Sequence, residues 1–168
     1  MKKVTQAKKF AEIEKISVFG AVARIGPVGL WMYANAYASS VKALAEPSVP
    51  FEPVRYYLAC HSIELSLKAY LSLHGATMLE LSESKMSHSL EKALDEAEAK
   101  GLLSAVHLSV EQRAEVRKAN HYYNGKLFEY PAYGEAMRGY PDLPKIALLV
   151  ETASALADAL AQPCREAQ

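Results

Sequence analysis

The sequence predicts an all-α protein, an antiparallel up-and-down bundle of about four to five helices. Three observations carry that expectation. Apolar residues recur at helical spacing through several long segments; glycines, prolines and capping residues punctuate them; and no stretch alternates apolar and polar residues with the β-branched enrichment of a strand. No internal repeat is present.

Residues 2 to 15 are polar and charged without a continuous apolar face, which fits a short helix or arm over 1–26 ahead of the bundle. Gly26-Pro27 opens the first long helix, since a proline in the first turn gives up an N–H that has no intrahelical acceptor there. Leu30, Trp31, Ala34, Tyr37, Ala38 and Val41 supply its apolar positions, and Pro47 and Pro50 end it. The next segment, Phe51 to His74, is apolar nearly all round. Val54, Leu58, His61 and Leu65 recur along one face while Tyr57, Ile63, Leu67, Tyr70 and Leu71 fill the other directions, as expected of the central helix. Gly75 stands where a left-handed C-terminal cap is wanted.

The stretch HSLEKALDEAEAKG places Leu90, Leu94 and Ala97 on one face of a third helix, with Gly101 as its stop. Ser109-Val-Glu-Gln112 matches a capping box, in which each side chain satisfies a free backbone N–H, and opens a fourth helix carrying Arg113, Arg117 and His121. Asn124-Gly125, Pro131, Gly134, Gly139 and Pro141 mark a long irregular connection. The last helix, from about Leu143 to Leu160, has Ile146, Val150, Ala153, Ala157 and Leu160 in helical register. The bundle domain therefore spans 27–162, with a tail over 163–168.

With 168 residues, 51% hydrophobic and 23% charged, the chain is sized for one domain rather than two. Nineteen basic residues balance nineteen acidic ones, so nucleic acid or an anionic membrane would be drawn only by a local basic patch. Cys60 and Cys164 lie far apart with no zinc-like spacing, which fits a reduced cytoplasmic setting and no metal. Glu12, Glu14 and Lys15 interrupt any signal-peptide core. The uncharged run from Ile25 to Val41 is diluted by polar residues and shorter than the ~20 apolar residues of a membrane span, so no membrane partner is expected. No glycine-rich phosphate loop, nucleophile elbow or metalloprotease helix is present, and no cofactor is implied.

The central helix and its sequel resemble the HEPN superfamily, small helical bundles of prokaryotic toxin and defence systems. The resemblance rests on Ala59, Glu64, Leu65, Leu67, Lys68, Ala69 and Leu71 in ACHSIELSLKAYL, on Gly75, on His88 and Leu90 in MSHSLEKAL, and on the tyrosine-rich segment closing in Tyr130-Pro131. It covers roughly residues 27 to 160. It implies an up-and-down bundle that dimerises through its central helices, with RNA, a nucleotide, or a cognate nucleotidyltransferase or antitoxin as partner. Many relatives are metal-independent ribonucleases using an arginine and a histidine. Their spacer is longer than the three residues between Arg117 and His121, although His121-Tyr122-Tyr123 matches the family's His-x-Tyr ending.

Arg117 and His121 share a helix face and form the candidate catalytic pair: an imidazole to deprotonate a ribose hydroxyl, a guanidinium to grip phosphate. The blander reading, favoured by spacing, is a solvated helix end whose carbonyls attract cations. Lys118, Tyr122, Tyr123, Lys126 and Tyr130 are candidate ligand-binding residues, since tyrosines beside lysines stack bases and meet phosphates. Five of the ten tyrosines lie between positions 122 and 140, and packing of an irregular loop explains them equally well. Glu64 and Lys68, at i and i+4, are expected to pair structurally, with His61 as a packed or hydrogen-bonded core residue and His88 as part of a helix cap. The leading expectation is a homodimeric, non-catalytic HEPN-like binding or regulatory module. A ribonuclease toxin using Arg117 and His121 across a dimer is the alternative, and a purely structural subunit the third.

Overall fold

The computed structural model describes residues 26–45, 51–82, 86 and 88–167. Most of the expected N-terminal arm, and the helix-ending Pro47 and Pro50, lie outside the described residues. Within them the chain is all-α. Its helices are α1 (Pro27–Ala43), α2 (Pro53–Leu73), α3 (Met78–Ser82), α4 (Leu90–Ala99), α5 (Leu102–Ala105), α6 (Val110–Asn124), α7 (Tyr133–Met137) and α8 (Ile146–Glu166). Five of these reach ten residues or more and build the bundle.

Local chemistry explains the boundaries. Pro27 and Pro53 each occupy a first turn, where a missing N–H is harmless. The capping box at Ser109 and Gln112 is formed, at 2.9 and 3.0 Å. Ser89 caps α4 through Lys92 N. Gly75 and Gly101 take φ of +89° and +88°, the left-handed conformation that releases the chain from a helix. Gly125 differs from the expected turn glycine. Its φ is −75°, and the left-handed residue is Lys126 instead, at φ +57°. A side chain at position 125 would place its Cβ 2.9 Å from the carbonyl of His121, so close backbone approach explains this glycine.

Two helix ends are closed by side chains from elsewhere. Arg55 Nη2 donates to the carbonyls of Leu44 (2.7 Å) and Ala45 (2.6 Å), satisfying acceptors at the end of α1. Glu115 accepts from the Lys145 N–H at 2.7 Å and so supplies the cap that Lys145 itself lacks at the start of α8. That helix continues to Glu166 with Cys164 buried, so part of the expected 163–168 tail belongs to the bundle.

Helix α2 packs against α1, α4, α6 and α8 and is central, as its composition predicts. The pairs Ala34–Ser62, Tyr37–His61 and Leu44–Arg55 run in opposite order along the chain, which makes α1 and α2 antiparallel. The start of α4 lies beside Glu64 and its end beside Tyr70, so α2 and α4 run in the same sense. The core face of α2 is Tyr56, Ala59, Cys60, Ile63, Leu67, Tyr70 and Leu71. The face read from the sequence, Val54, Leu58, His61 and Leu65, is instead the half-exposed one, with Val54 55% exposed. An apolar residue at helical spacing does not say which face the neighbours cover. Trp31 locks α1 to α8 by donating to the Ala157 carbonyl at 2.7 Å.

The irregular stretch after α6 is pinned by aromatic packing. Phe51 stacks on Tyr140 (4.0 Å between ring centroids), Phe128 stacks on Tyr56 (5.0 Å) and on Tyr122 (5.6 Å), and Tyr56 donates to the Pro144 carbonyl at 3.0 Å. Non-glycine residues Lys126, Tyr140 and Asp142 adopt positive φ along this stretch. Ring contacts that hold the loop in one place offset the cost of those conformations.

Candidate functional site

Arg117 and His121 come one turn apart on α6, as the spacing predicts, and both line an open cleft of ≈ 680 Å³ between α6, the start of α4 and the α7 segment. Glu91, Asn120, Asn124 and Glu135 are its other polar residues. Arg117 does not present a free guanidinium there. Its Nη2 donates to Asp95 Oδ1 at 2.7 Å and to Glu98 Oε2 at 2.8 Å. The bond to Asp95 above all, and then Glu98, pushes its pKa further up, against partial burial. Arg113 also reaches Glu98, at 3.4 Å.

His121 is well exposed, its Nε2 4.0 Å from Glu135 Oε1, and that carboxylate is already held by Arg138. Asn120 is committed as well, with Oδ1 accepting from the Glu91 N–H at 3.3 Å and from the Ser89 hydroxyl at 3.4 Å. The cleft and its paired neighbours thus bring four carboxylates, Glu91, Asp95, Glu98 and Glu135, against three guanidiniums, Arg113, Arg117 and Arg138. A phosphate entering it meets more negative than positive charge.

The remaining candidates separate. Tyr122 and Tyr123 are each only 3% exposed, which corrects their reading as base-stacking residues. Tyr122 donates to the Pro141 carbonyl and Tyr123 to Glu64, so both hydroxyls are used inside the fold. Lys118 sits 3.8 Å from Asp142, in a smaller depression shared with His121 and Arg138. Lys126 and Tyr130 are exposed and make no side-chain hydrogen bond among the described residues. The structure gathers none of these into a basic, aromatic strip.

A second constellation lies inside the bundle. Glu64, 1% exposed, receives Lys68 Nζ at 2.6 Å, the Tyr123 hydroxyl at 2.5 Å and the His88 backbone N–H at 3.3 Å, with the His88 ring Nδ1 at 3.4 Å. Burial pushes its carboxyl upward, yet His61, Lys68 and Tyr123 together outweigh burial and hold it far below the usual carboxylate range. The same contacts act in reverse on Tyr123, whose phenol is pushed far up by burial and by the adjacent charge. The Glu64–Lys68 contact forms at i, i+4, as the spacing predicts. The cap role belongs to Ser89, while His88, held at φ +58°, ties the chain ahead of α4 to Glu64. Tyr123 as the bridge between Glu64 and His61 was not legible in advance; its only signal was a tyrosine on an otherwise apolar face of α6.

Among the described residues no group of three or more His, Cys, Asp or Glu side chains is placed to hold a metal, and no helix is long and apolar enough to cross a membrane. Comparison with protein families, with characterised proteins and with solved structures finds no match.

Proposed function

We propose that the chain is a HEPN-like binding or regulatory module, working as a homodimer in the cytoplasm, that performs no chemistry at Arg117 and His121 and receives a partner protein in the α6 cleft. The observation that supports this most is the double engagement of Arg117 by Asp95 and Glu98. An arginine that is to grip a phosphate in a bidentate fork needs its own N–H groups and a local excess of positive charge. Here both acids bond the same nitrogen, Nη2, and their two charges cancel the positive excess that a phosphate needs. Asparagine amides, an imidazole and carboxylates suit the mixed donors and acceptors of a polypeptide better than a polyanion.

One observation favours the alternative, a metal-independent ribonuclease: Arg117 and His121 do line the same cleft. Incubation of the purified protein with mixed single-stranded RNA in excess chelator decides between the two, run beside Arg117→Ala and His121→Ala. No cleavage above the variants' background is expected. Chelator-resistant cleavage that both variants lose makes the pair catalytic and sinks the proposal. A second arm removes the competing acids: Asp95→Asn with Glu98→Gln is expected to raise RNA affinity over wild type, and an unchanged affinity means that these acids are not what excludes RNA.

A further inference from the structure

The protons around Glu64 determine the state of His61. Lys68 and the His88 N–H donate to Oε1, and the Tyr123 hydroxyl lies 2.5 Å from Oε2. An ionised carboxylate has no proton to give, so the single hydroxyl proton of Tyr123 sits between phenol and carboxylate. The 2.7 Å contact between Tyr123 Oη and His61 Nδ1 then requires the imidazole to donate. In its neutral form His61 therefore carries its proton on Nδ1, and Nε2 keeps a lone pair. The His61 Nδ1 is closer to Tyr123 than to Glu64, which stands 3.5 Å away, so the hydroxyl relays the orienting effect.

Nε2 points away from that relay. It has no hydrogen-bond partner among the described residues and is not sealed, for 19% of the His61 side chain remains exposed. Two tyrosines pack against the imidazole: Tyr37 meets it nearly perpendicular with ring centroids 4.6 Å apart, and Tyr57 stacks on it at 5.3 Å. The nearest cation in the network, Lys68, is spent on Glu64. Burial pushes the Tyr57 phenol up, and the Glu129 carboxylate pushes it further.

We propose that His61 Nε2, on a ring packed between Tyr37 and Tyr57, is a binding site for an organic cation, a guanidinium or ammonium group presented by a ligand or partner. A neutral imidazole fixed in this tautomer offers only an acceptor at its exposed nitrogen, so it selects a donor. Tyrosine rings beside it attract a cation through their quadrupoles. The site shares no residue with the α6 cleft and does not depend on the HEPN-like reading.

Nitrogen NMR of the full chain with labelled histidine tests this directly, first for the tautomer and then by titration with methylguanidinium and its neutral isostere methylurea. The expected result is an unprotonated Nε2 on His61, shifted saturably by methylguanidinium and more weakly by methylurea. A proton on Nε2 in the neutral ring, or equal shifts with the two probes, overturns the proposal. Tyr123→Phe removes the relay and is expected to weaken methylguanidinium binding roughly 3–10-fold, the worth of one oriented hydrogen bond. Should that buried variant fail to fold, Tyr57→Leu, at a half-exposed position, takes its place. It is expected to keep the tautomer and lose affinity, and undiminished affinity rules out the aromatic contribution.

Discussion

Glu64 and Arg117 are each a charged side chain on a long helix, each bonded to more than one partner, and they behave as opposites. Glu64 is buried between its own helix, the chain leading into α4, and α6, and each of its donors there belongs to the fold. Arg117 is about one-third exposed and meets Asp95, itself more than half exposed, on the rim of an open cleft. Multiple bonding means different things in the two places. In the interior a missing partner leaves a charge without water, whereas on the rim water replaces it. The interior network therefore orients and stabilises, and the rim pair screens.

Breaking the two sites should show that difference in order of size. Glu64→Ala strands Lys68 and the His88 N–H and is expected to cost about 3–5 kcal/mol in urea unfolding at neutral pH. A loss under about 1 kcal/mol would mean that water enters and solvates the site. Tyr123→Phe keeps the ring packing and removes one bridging hydroxyl, so it should cost about 1–3 kcal/mol by the same measurement. Arg117→Ala should change stability by only ~0.2–1 kcal/mol, and a cost equal to that of Tyr123→Phe would mean that the rim pair is as shielded from water as the interior network.

Acid sharpens the comparison further. The carboxyl of Glu64 is depressed in the folded state, so its contribution is fully present above the ordinary carboxylate value of ~4.3 and is lost as pH falls through that value toward the depressed one. Unfolding free energy followed downward from neutral pH should decline in the wild type below about pH 5, and Glu64→Gln should flatten that decline. Equal slopes in the two proteins would show that other carboxylates govern the acid limb.

Much of the scaffold was legible. The capping box at Ser109 and Gln112, Pro27 in a first turn and Gly75 in the left-handed region are local devices, decided within a few residues of chain. The Glu64–Lys68 pair was readable for the same reason, since i and i+4 on a helix are neighbours whatever else happens. The site was readable only in outline. Spacing placed Arg117 and His121 on one face but said nothing of Asp95 and Glu98, which arrive from α4. The tyrosine cluster divided into Tyr122, Tyr123 and Tyr140, which pack, and Tyr130 and Tyr133, 65% and 90% exposed, a division set by where the loop crosses the bundle.

By itself the sequence determined the helical class, the starts of the main helices and the face shared by any two residues one turn apart, because these follow from backbone hydrogen bonding and helical pitch. Tertiary structure alone decided which face of α2 is core, that Tyr123 joins His61 to Glu64, and that Arg117 is neutralised before any ligand arrives. Those outcomes depend on contacts between residues 19 to 62 positions apart in the chain, and no local periodicity encodes which helix a side chain will meet.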